Sequence, residues 1–187
     1  MQFFLNLQKA GFTLEDILKL NRNPRVLESM RTGMLNDPKF QTLIDCDAAP
    51  YCPGDLEIRA KDQPKCRVRG ELEFDPSKVA LHLDGSQKNG KQIIGRKLLK
   101  LLKNQTVALP ANVLEHLLAN TNLIPESWKQ DELGQTLVIH FCGTIYSDSI
   151  GGLYVRSLRF LNNQWGQYYS CLDHYFGDAG PAAILIP

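Results

Sequence analysis

The spacing of apolar and polar positions changes its period several times along the chain. Near the N-terminus, Leu14, Ile17 and Leu18 share one helical face. Thr13 stands before them as a cap, with Glu15 and Asp16 at the positive helix end. Asn23-Pro24 opens a second helix carrying Val26, Leu27 and Met30, and Gly33 is its stop. Isolated helices this short are marginal in water, so residues 1–36 are predicted to form a helical arm that docks elsewhere. Residues 37–76 read as a connector with short strands, punctuated by Pro38, Pro50, Pro53, Pro64 and Pro76.

Period two follows. Val68, Leu72 and Phe74 alternate inward over 67–74, and Val79, Leu81 and Leu83 do so over 78–83. The spacing then turns helical: Ile93, Ile94, Leu98, Leu101 and Leu102 recur on one side, with basic residues on the other. Pro110 opens another helix bearing Val113, Leu114, Leu117 and Leu118. Strand runs over 136–146, 153–161 and 165–172 are separated by Gly151-Gly152 and Asn162-Asn163. The fold class expected is α+β: an N-terminal helical arm, then two central helices packed on a C-terminal antiparallel β-meander within residues 77–187.

Composition narrows the function classes. At 43% hydrophobic and 22% charged residues, the 187-residue chain is a folded protein, and disorder, collagen and coiled coil are excluded. A formal net charge of +1 excludes a histone-like binder. No apolar run approaches the length that crosses a bilayer, and no basic n-region precedes the first apolar residues. Five scattered cysteines lack the density of a disulfide scaffold. Together these point to a cytoplasmic protein with no membrane partner.

The candidate chemistry is sparse. Cys46, Cys52 and Cys66 with His82 offer soft ligands, but no paired C-x₂-C knuckle that would hold zinc. Asp45 and Asp47 flank Cys46, and on a strand they would share a face, as the carboxylates of a metal-dependent nuclease or hydrolase do. Glu71 with Glu73, and Asp55 with Glu57, repeat that spacing as a solvent face would. Cys171 with His174, and His140 with Cys142, place thiol near imidazole in sequence, but no nucleophile elbow, P-loop or dinucleotide fingerprint accompanies them. Catalytic residues are therefore unassigned, no cofactor is expected, and the balance leans against an enzyme. Leu7 to Ile17 has the rhythm of a helix-turn-helix, yet its second helix would present Glu15 and Asp16 to phosphates.

Several segments resemble a family of uncharacterised bacterial proteins. They are Leu43-Ile44-Asp45-Cys46-Asp47-Ala48, Phe74-Asp75-Pro76-Ser77-Lys78-Val79, Gln87-Lys88-Asn89-Gly90-Lys91, Leu123-Ile124-Pro125-Glu126-Ser127-Trp128 and Gly143-Thr144-Ile145-Tyr146. The resemblance implies a folded bacterial protein and brings no activity, cofactor or mechanism.

Charge is the sharpest local feature. Between Asp84 and Glu115 stand six basic residues, Lys88, Lys91, Arg96, Lys97, Lys100 and Lys103, and no acidic one. Backbone amides around Gln87 to Gly95, with Lys88 and Lys91, would meet one phosphate, and the helix would track the next. No aromatic lies in this stretch to stack on bases. The leading expectation is a non-enzymatic binding or accessory protein that contacts nucleic-acid backbone or an acidic protein through this basic helix. The alternatives are a metal-dependent hydrolase using Asp45 and Asp47, and a structural or oligomerising protein.

Overall fold

A computed structural model describes residues 43–102 and 107–186. The helices expected over 1–36, the helix-turn-helix rhythm and Lys103 lie outside them. The described residues belong to one unit by their contacts, Leu43–Pro187.

The largest element is a six-stranded mixed sheet built from β3 (Val79–His82), β5 (Val107–Ala108), β6 (Ile139–Ser147), β7 (Leu153–Leu161), β8 (Gln164–Cys171) and β10 (Ala182–Leu185). Its order is β3-β10-β6-β7-β8, with β5 also paired to β10. β1 (Leu43–Asp45) pairs antiparallel with β2 (Glu71–Glu73), and β4 (Ile93–Ile94) with β9 (Tyr175–Phe176). Among the described residues there are only two α-helices, α1 (Gly95–Leu102) and α2 (Ala111–Ala119), both short.

This overturns the expected fold class. The described residues are mostly sheet, and the meander strands β6, β7 and β8 are only part of it. The physical reason lies in Ala182–Leu185, whose short apolar run inserts beside β6 in parallel and binds β3 antiparallel on its other side. Parallel pairing needs a long connection and leaves no hairpin signature in sequence. A second departure concerns Ile93 and Ile94: they sit in a strand, and the helix begins only at Gly95.

Strand alternation sorts the core into two layers. Ile139, Phe141, Leu158 and Ala183 pack with Val113, Leu114 and Leu117 of α2. Cys142, Ile145, Val155, Ala182 and Ile184 pack with Leu98, Leu99 and Leu102 of α1. Neighbouring residues on one strand thus face opposite helices, as period two requires. β6 is buried along its whole length, which explains its near-continuous apolar sequence. The segment from Leu43 to Phe74 contributes Ile44, Cys46, Val68 and Phe74 to the α2 layer.

Two local devices set this geometry. The β6–β7 register shifts between Phe141 and Tyr146, and within that irregular stretch Gly143 lets the β5–α2 link cross: a Cβ there would lie 2.6 Å from the Ala108 carbonyl oxygen. Helix α2 starts after Pro110 without a side-chain cap from its own N-cap residue. Thr144 of β6 takes that role, its Oγ1 accepting from the Ala111 amide at 3.1 Å.

Candidate functional site

The residues expected to form a basic face divide into two kinds. Arg96 is committed to the fold: its guanidinium donates to both carboxylate oxygens of Asp173 and holds that carboxyl below its usual range. Two backbone bonds fix the same junction, Gly95 amide to His174 carbonyl at 3.0 Å and Arg96 amide to Leu172 carbonyl at 2.8 Å. Lys88, Lys91, Lys97 and Lys100 are exposed and form no ion pair with any described residue. Lys97 and Lys100 are three apart on α1 and so lie on one helix face. Lys88 and Lys91 bracket a tight turn whose Asn89 and Gly90 take φ of 61° and 74°.

An aromatic side chain joins this segment through the fold. Ile94 pairs with Tyr175 across β4 and β9, and Tyr175 is 65% exposed. The two positions stand 81 apart in the sequence, so no local pattern could have announced it.

Asp45 and Asp47 are both occupied, Asp45 with its own loop and Asp47 with the Arg69–Gly70 segment. The Asp45 carboxylate accepts from the amides of Asp47 and Ala48 at 2.9 and 3.1 Å. Asp47 accepts from the Gly70 amide at 2.9 Å and lies 3.7 Å from the Arg69 guanidinium. Among the described residues no three His, Cys, Asp or Glu side chains gather where they could hold a metal ion. Burial pushes the Cys46 thiol up to about 11 and Cys142 up to about 12, so both are protonated at neutral pH. All five cysteines are free thiols. No helix among the described residues is long and apolar enough to cross a membrane.

The most developed polar arrangement was not among the expected sites. On the α1 side of the sheet, His140 Nδ1 meets Ser157 Oγ at 2.8 Å, and Ser157 Oγ meets Ser170 Oγ at 2.8 Å. The three residues stand on adjacent strands β6, β7 and β8. Phe176 stacks on the imidazole at 4.0 Å between ring centroids. The fully buried Gln87 anchors the adjoining loop, donating through Nε2 to the carbonyls of Gly177 and Gly180 at 3.1 and 2.8 Å. A cavity of about 570 Å³ opens beside His140 and is lined also by Tyr154, Tyr168, Ser170, Tyr175 and Gly180. The available signal was two serines at buried positions of the strands, Ser157 and Ser170, since buried hydroxyls need partners.

Compared with protein-family models, curated proteins and solved structures, the chain has no match. The functional reading therefore rests on these geometries alone.

Proposed function

We propose that the protein is a non-enzymatic binding module of the bacterial cytoplasm, and that it docks on a single-stranded nucleic-acid backbone. The observation that carries this reading is the exposed, acid-free run Lys88, Lys91, Lys97 and Lys100, joined by the exposed ring of Tyr175. Lysines without carboxylate partners are free to displace counterions from phosphates, and an adjacent tyrosine offers a stacking surface for any base. The Arg96–Asp173 pair neutralises the carboxylate at the start of α1. Asp45 and Asp47 support a hydrolase less well, because the Asp45 carboxylate already closes its own loop and that of Asp47 ties it to the Arg69–Gly70 segment. Free thiols at all five cysteines agree with a reducing compartment.

Fluorescence anisotropy with a labelled oligothymidylate tests the reading. Four lysine contacts on a single strand give a log–log salt slope of about −3, so affinity falls about 50-fold between about 50 and about 200 mM salt. The double substitution Lys97→Glu/Lys100→Glu lowers affinity about tenfold or more at the lower salt, and Tyr175→Ala lowers it at every salt concentration. A flat salt response, or no binding at about 50 mM salt, overturns the proposal. Equal binding of polyglutamate would assign the surface to an acidic protein instead.

A further inference from the structure

His140 is 3% exposed, and burial alone pushes its imidazole down to about 3, so the ring is neutral throughout the physiological range. One nitrogen is accounted for by Ser157. The other, Nε2, forms no hydrogen bond among the described residues. Nε2 is not among the fully enclosed polar atoms left without a partner, so it needs a route to a partner outside the fold.

The surroundings of Nε2 supply one. Its edge lies against Gly180, where a Cβ would come within 3.1 Å of it. Glycine at that position leaves the nitrogen uncovered, and both residues line the cavity of about 570 Å³. That volume falls within the range of roughly 300–1,000 Å³ that small-molecule pockets occupy. Its walls carry Tyr154, Tyr168, Tyr175 and Phe176 and no lysine or arginine. The carboxylate in the lining, Asp178, accepts from the amide of Ala179 at 3.1 Å. An anion would find no lysine or arginine here, only the imidazoles of His140 and His174, whereas a planar neutral molecule would find ring faces to lie on and a nitrogen to bond.

We propose that this cavity binds an uncharged heteroaromatic molecule of nucleobase or nucleoside size, held by a hydrogen bond to His140 Nε2 and by the tyrosine rings. The Ser170–Ser157–His140 chain fixes how Nε2 behaves: when Ser157 donates to Nδ1, Nε2 carries the proton and donates to the ligand, and when Nδ1 donates to Ser157, Nε2 accepts. The site thereby reads a hydrogen-bonding edge and not a charge. It shares Tyr175 with the basic face but depends on His140 and the rest of the cavity wall and not on the lysines, so it stands whether or not the basic face binds nucleic acid.

The test is a titration of the full chain, labelled with ¹⁵N-histidine, using adenosine as the neutral probe and benzoate and benzylammonium as charged controls. Adenosine saturates at or below about 1 mM and moves the His140 Nε2 resonance, and both controls bind about tenfold more weakly or worse. Gly180→Ala, which crowds Nε2, weakens adenosine about tenfold. Should that variant fail to fold, Val138→Phe narrows the same cavity and gives the same loss. The proposal falls if adenosine leaves Nε2 unmoved, if a variant that narrows the cavity binds as the parent does, or if either charged control binds more tightly.

Discussion

The two faces of the central sheet bury polar groups in opposite ways. On the α2 face, Arg156 is 4% exposed and its guanidinium donates to Glu115 and, at 2.9 Å, to Gln167 Oε1. Glu115 also accepts from the Tyr51 amide at 2.7 Å, and the Tyr51 carbonyl accepts from the Tyr146 hydroxyl at 3.2 Å. On the α1 face, His140, Ser157 and Ser170 form a neutral chain that ends at a cavity. A buried charge requires partners on every side, so its network closes on itself. Beside it, the Tyr169 hydroxyl and Asn112 Oδ1 of α2 are buried without a hydrogen-bond partner among the described residues. A neutral chain carries a smaller desolvation cost, so one end can remain open for a ligand.

Removing one member of the charged network has the largest expected effect. Glu115→Ala leaves Arg156 buried without its carboxylate and releases the Tyr51 amide, at a cost of about 3 kcal/mol in urea unfolding. A loss below about 1 kcal/mol would show that solvent reaches Arg156 and that the α2 face is not closed.

Acid probes the other face. The imidazole of His140 titrates near 6.5 when unfolded and near 3 when folded, so protons bind the unfolded chain preferentially across that interval. Its stabilising contribution is fully present above the unfolded value and is lost as pH falls toward the folded one. Between about pH 7 and about pH 5 the loss comes to about 2 kcal/mol. In His140→Gln this part of the pH dependence disappears, whatever the variant's stability at neutral pH. An unchanged slope would place the ring in solvent.

How far the sequence reveals these features depends on how far apart the interacting residues lie. The strands at 153–161 and 164–171 are legible because alternation and the Asn162-Asn163 turn are local, and both asparagines do take positive φ, 52° and 61°. Ala182–Leu185 gives no comparable sign, because its neighbours His140 and His82 are brought to it only by the folded sheet. The basic run was legible as composition. The commitment of Arg96 was not, since Asp173 stands 77 positions away. The same holds for His140: the sequence sets it two positions from Cys142, and only the pairing of β6, β7 and β8 aligns it with two serines.

The smallest expected effect separates the open face from the closed one most directly. Ser170 is 9% exposed and lines the cavity, so its hydroxyl lies where water can follow a truncation. In Ser170→Ala a cavity water can take its place beside Ser157 Oγ, and the cost in urea unfolding is about 0.5 kcal/mol. The His140 Nε2 resonance should shift as well, because Ser157 is then free to reverse the direction of its bond to Nδ1. A loss of about 2 kcal/mol or more would mean that water does not enter, and that this end of the chain is as closed as the network around Arg156.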